Sequence, residues 1–170
     1  MKKFISVLTI LFTFGSISAI AQEYYEIRTY YMKFGGKLGV LENYISKALI
    51  PALNKQGVTK VGVFKDLGKP EPAVLVLVIP FQDVKAYVGY KDKLNADVEY
   101  NGNARSYFDL VGNDKPMFER ISTYFGKAFD GFKSFQLPTT SSSRIYEWRT
   151  YEAYNEDALR RKIQMFNDEE

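Results

Sequence analysis

Apolar and polar positions change their spacing several times along this chain, and each change marks an element. Tyr24 to Tyr31 is rich in Tyr, Ile and Thr and reads as a strand. "KFGGK" turns the chain. Leu38, Leu41, Ile45 and Leu49 then recur at helical spacing, which predicts an amphipathic helix over 36–56. Pro51 lies inside it and should kink or shorten it, and Gly57 is a natural stop. In "TKVGVFKDLG" Val61 and Val63 share one face, as in a half-buried strand, and "DLGKPEP" is a turn. "AVLVLVI" at 73–79 is apolar throughout. Such a run belongs to a strand covered on both faces in the middle of a sheet; a short buried helix is the alternative.

Residues 80–94 read as a second helix, and 95–115 as irregular or partly helical. Residues 118–129 form a strand candidate, with a helix from Pro116 as the alternative. "GFKSFQLPTTSSS" has the composition of a linker. Ile145 to Glu152 reads as a strand. Asn155 can cap a last helix, with Asp157 in its first turn and Leu159, Ile163 and Phe166 as its apolar stripe. The first six elements run strand–helix–strand–strand–helix–strand, the order of a ferredoxin-like α+β unit. Helices then cover one face of the sheet, and the other face must meet a second sheet.

The first 21 residues stand apart. Lys2 and Lys3, an apolar stretch from Phe4 to Phe14 and the small residues Ala19 and Ala21 make a secretory signal peptide, cut before Gln22. An uncleaved anchor is the rival, but the apolar stretch is shorter than the ~20 residues of a membrane span. The expected location is periplasmic or extracellular, with no stable membrane span after cleavage. Without Lys2 and Lys3 the 23 basic residues fall to 21 against 20 acidic ones, and no basic run suggests a nucleic-acid partner. The expected organisation is a signal peptide (1–21), a domain (22–130), a linker (131–144) and a partial second repeat (145–170).

The chain contains no histidine and no cysteine. Ordinary zinc sites, serine–histidine and cysteine–histidine catalysis are thereby excluded, as are disulfides and a lipid-bearing cysteine. No cofactor and no metal is expected. Any chemistry falls to Asp, Glu, Tyr, Lys or Arg.

One hexamer occurs nearly twice: "YEIRTY" at 25–30 and "YEWRTY" at 146–151, with Leu38 matched by Leu159 at the same offset of 121 residues. This is an internal repeat whose second copy has only its first strand and helix. The stretches "YEIRTYYMKFGGKL" and "IYEWRTYEAYNEDALRRKIQMFN" resemble the NIPSNAP family. The resemblance implies a dimeric α+β barrel, two ferredoxin-like sheets face to face. It implies a homodimer, or an intramolecular pseudo-dimer in a longer form; a fragment of a two-repeat protein is the favoured expectation. An apolar sheet face left in water forgoes about 25 cal/mol per Å2.

Along the hexamer side chains alternate. Tyr25, Ile27 and Thr29 share one face and are expected to meet the helices. Glu26, Arg28 and Tyr30, with Glu147, Arg149 and Tyr151 of the second copy, are then expected to point between the sheets. There they are candidate ligand-binding residues: an arginine fork and a tyrosine hydroxyl suit a carboxylate or enolate. The competing reading is structural, with Glu26 and Arg28 paired for their own satisfaction, and it is preferred. The function expected is a binding or assembly module with a possible small-molecule ligand. The alternative is a cofactor-independent enzyme, monooxygenase- or isomerase-like, acting on a small aromatic or apolar acid with Glu26 as base.

Overall fold

The computed structural model describes residues 22–68, 70–111, 117–136 and 144–168. The proposed signal peptide and residues 137–143 of the expected linker lie outside the described residues. Strand β1 (Tyr24–Met32) is followed by helix α1 (Leu38–Tyr44), a π-helical turn (Ile45–Leu49) and α2 (Ile50–Lys55). Then come β2 (Gly62–Lys65), β3 (Val74–Phe81), α3 (Val84–Ala96), α4 (Val98–Val111), β4 (Phe118–Lys127) and α5 (Glu156–Asp168). The four strands form one antiparallel sheet in the order β2-β3-β1-β4. That is the ferredoxin-like arrangement of an α+β fold.

The helix expected over 36–56 is continuous in space but changes its winding at Ile45–Leu49. Pro51 explains the change. A proline has no N–H to give to the preceding turn, and its ring crowds the carbonyl four residues back. Widening the turn before it relieves both problems, so the chain bulges rather than breaks. Leu41, Ile45, Leu49 and Leu53 remain fully or almost fully buried along the inner face. Gly57 closes the helix at a positive φ of 87°, as its place after the last turn demands.

Two readings of the middle of the chain change. Pro80 and Phe81 belong to the end of β3, and α3 starts only at Val84, where Asp83 accepts from the Ala86 N–H at 2.7 Å. Residues 98–111, expected to be irregular or partly helical, form the full helix α4. Its signal was present in Tyr100, Ala104 and Tyr107, spaced at i, i+4 and i+7 and all buried. Tyrosine and alanine carry little weight as apolar markers, so the stripe looked weak. Asp97 starts the helix by accepting from the Tyr100 N–H at 3.0 Å.

The C-terminal part departs further. Residues 145–152 form no strand and join no sheet. A strand needs a neighbour for its N–H and C=O groups, and none of the four strands pairs with this segment. Helix α5 forms as expected, with Asn155 accepting from the Ala158 N–H at 2.8 Å. None of its residues is buried.

The candidate site around the repeated hexamer

Antiparallel register decides which way β1 faces. Glu26 stands opposite Ile79, Arg28 opposite Leu77 and Tyr30 opposite Leu75. Those β3 residues lie under the helices and have no exposed surface. Glu26, Arg28 and Tyr30 therefore point at the helices, the reverse of the expected orientation. Ile27, Thr29 and Tyr31, opposite Val78, Val76 and Val74, take the open face. The physical reason is that helix α3 supplies a polar partner on the inner side. Tyr90, 1% exposed, reaches down from α3 and completes a closed network.

In that network the Tyr90 hydroxyl donates to Glu26 Oε2 at 2.6 Å and accepts from Arg28 Nη2 at 2.6 Å. Arg28 Nε donates to Glu26 Oε1 at 2.7 Å, and Nη1 donates to the Tyr30 hydroxyl at 3.2 Å. Glu26 is fully buried, and the Arg28 side chain keeps 14% exposure. A carboxylate without water survives only when its oxygens are met by donors, and here both are. Burial alone would lower the Arg28 pKa, but Tyr30, Tyr90 and Glu26 outweigh it and hold the guanidinium above its ordinary value. Burial also raises Tyr90, assisted by its bond to Glu26 and opposed by Arg28.

Beside this network sits a second tyrosine group. The hydroxyls of Tyr44 and Tyr100 lie 2.8 Å apart, and the rings of Tyr44 and Tyr107 stack at 4.0 Å. Burial pushes the Tyr44, Tyr100 and Tyr107 hydroxyls above the usual tyrosine range. These rings form one aromatic cluster between the helices. It is packed into the helix-side core with Tyr30 and Phe118.

The second copy keeps the local geometry and loses the surroundings. Arg149 Nη2 donates to Glu147 Oε2 at 2.6 Å, with both side chains more than half exposed. Hydrogen bonds with Glu147 and Tyr151 hold Arg149 above its ordinary pKa, and Arg149 holds Glu147 below its own. The structure does not bring the two triads together.

Cavities lie elsewhere. One of about 860 Å3 runs between β2, the β3 residues Val74 and Val76 and the segment 144–148. A second, about 560 Å3 and more open, lies between Asp130–Gly131 and α5. Neither is lined by Arg28 or Tyr30. Among the described residues no cluster of three acidic side chains is placed to hold a metal, and no helix is long and apolar enough to cross a membrane.

No protein-family model matches the chain, and no curated protein does. Similar solved structures include a NIPSNAP family protein with unknown function from Agrobacterium tumefaciens. It is 18% identical with a TM-score of 0.48, over 63% of this chain and 88% of that one. An uncharacterized NIPSNAP domain protein from Burkholderia xenovorans is 14% identical with a TM-score of 0.45, over 71% and 99%. A dimeric ferredoxin-like protein from an uncultured marine organism is 7% identical with a TM-score of 0.43, over 66% and 93%.

Proposed function

We propose that this chain is an exported binding and assembly module whose open sheet face meets the same face of a second copy. One observation carries the association: the helix-free face joins valines of β3, Ile27 of β1 and Tyr124 of β4 into an apolar patch, bordered by Thr29, Ser122 and Arg120. Val74, Val76 and Val78 of β3 lie beside Ile27 of β1, and Tyr124 of β4, opposite Ile27, is 67% exposed. A surface of this kind on a lone domain favours a partner. Export is supported by the basic start and apolar stretch of residues 1–21. This reading is preferred over a cofactor-independent enzyme built on Arg28 and Tyr30, because Arg28 spends its hydrogen bonds on Glu26, Tyr30 and Tyr90.

Light scattering on the purified protein over a wide concentration range tests the association. A dimer is expected, and Tyr124→Glu should return it to a monomer with unchanged circular dichroism, since Tyr124 supports no core. A wild-type monomer at every concentration, or a variant that stays dimeric, refutes the proposed interface. Export is tested separately by fusing the first 24 residues to a phosphatase that is active only outside the cytoplasm. An inactive fusion counts against it.

A further inference from the structure

We infer that the cavity along β2 is a binding site for a small organic anion with an apolar, aromatic-sized body. The site is lined by Tyr146 and Trp148 of the second hexamer, not by Glu26, Arg28 or Tyr30, and its floor residues Val74 and Val76 also belong to the sheet face proposed above for association, so the test below reads the two separately.

Strand β2 is short and lies at the edge of the sheet, with β3 on one side only. A space of about 860 Å3 lies along it, bounded by β2, by Val74 and Val76 of β3 and by residues 144–148. That volume is in the range of small-molecule pockets. The wall is aromatic and aliphatic. Phe64 projects from β2 and meets Tyr146 edge-on, with ring centroids 5.2 Å apart, and Trp148 lines the same space. Val74 and Val76 form the floor from β3. Aromatic and aliphatic walls of this kind suit an apolar ligand body.

The charge of the lining gives the second half of the inference. Its cationic side chains are Lys60, Lys65 and Arg144, and its one carboxylate is Asp66. Asp66 is already committed, accepting from the Val74 N–H at 3.2 Å across the β2–β3 turn. Lys65 is tied to Glu42 at 2.6 Å. Lys60 has only a long 3.5 Å contact with the Phe135 carbonyl, so its ammonium is available to a new acceptor. A cationic rim over an apolar cavity selects an apolar molecule carrying a carboxylate, sulfonate or phosphate, and disfavours its neutral counterpart.

The chain holds a built-in reporter, because Trp148 is its single tryptophan. Anilinonaphthalene sulfonate and the neutral phenylnaphthylamine share their rings and differ by the sulfonate. Both are titrated into protein purified after expression of the full chain, with quenching of tryptophan emission and energy transfer to the dye as the readout. The expected result is saturable transfer with the sulfonate binding roughly tenfold more tightly than the neutral dye. Lys60→Gln should remove most of that preference while leaving the neutral dye unaffected, and the surface position of Lys60 makes loss of folding no concern. Equal affinities for the two dyes, an unchanged preference in Lys60→Gln, or binding without transfer from Trp148 overturns the inference. Repeating the titration with Tyr124→Glu, alongside light scattering, separates this site from the proposed dimer. A monomer that still prefers the sulfonate supports the site even where the dimer fails.

Discussion

The Tyr90 hydroxyl donates to Glu26 at 2.6 Å across the gap between α3 and β1, joining residues 64 positions apart in sequence. That bond closes the only described network in which a fully buried carboxylate takes part. Tyr90→Phe removes the hydroxyl and keeps the ring. It leaves Glu26 Oε2 short of a donor and Arg28 Nη2 short of an acceptor. The expected loss is about 1–3 kcal/mol, read as a lower denaturant midpoint with an unchanged slope. An unchanged midpoint would show that water reaches Glu26.

The two Glu–Arg pairs should respond differently to the same cut. Glu26→Leu strands Arg28 inside the fold, and breaking such a pair costs about 3–5 kcal/mol. The double variant Glu26→Leu/Arg28→Met should be less damaging than the single one, because it removes the orphaned charge as well. Glu147→Leu should leave the thermal midpoint where it is, since its pair is solvated on all sides. Differential scanning calorimetry on the four proteins decides the matter. A large loss for Glu147→Leu would mean that the second copy is buried in solution.

Alkaline pH should unfold this protein early. Tyr44, Tyr90 and Tyr107 are all raised above the ordinary value of 10.0 by burial. The unfolded chain ionises them at ordinary values and the folded chain resists. Their contribution is therefore complete below pH 10 and declines as pH rises through the higher folded values. The thermal midpoint should hold to about pH 10 and then fall, with phenolate absorbance from these residues appearing only as the fold is lost. Stepwise ionisation of every tyrosine without unfolding would contradict their burial.

Two glycines next to α1 should give opposite results. A Cβ on Gly36 would lie 2.8 Å from the Lys33 carbonyl oxygen and 2.9 Å from that of Met117. Neither backbone group can swing away, so Gly36→Ala should cost about 1–3 kcal/mol. At Gly39, already helical, a Cβ meets nothing within 4 Å. Gly39→Ala should add about 0.4–1 kcal/mol by restricting the unfolded chain. Thermal melts of the two variants check both signs.

The sheet was largely legible because its central strand is apolar without interruption and its turns are marked by glycine and proline. Helix α4 was obscured by tyrosine, whose ring packs in a core while its hydroxyl scores as polar. The facing of β1 was not legible at all. Alternation separates Glu26, Arg28 and Tyr30 from Tyr25, Ile27 and Thr29, but it does not say which set lies inside. Ordinary hydrophobicity places the charged set outside, and the distant Tyr90 reverses that. No local pattern in the hexamer announces a partner 64 positions away. The same limit applies to residues 145–152, where strand-like composition cannot supply a neighbouring strand.

Glu26 and Arg28 are two residues apart in sequence, and so are Glu147 and Arg149. In the second pair the contact forms at 2.6 Å with no sheet around it. The hexamer can thus bring its two charges together without a sheet around it. In β1 the pair sits in the core as one closed dipole instead of two separate ions. Nearly the same six residues therefore stand in water at one end of the chain and under helices at the other. Folding has to find only Tyr90, the single member of the network that arrives from far away.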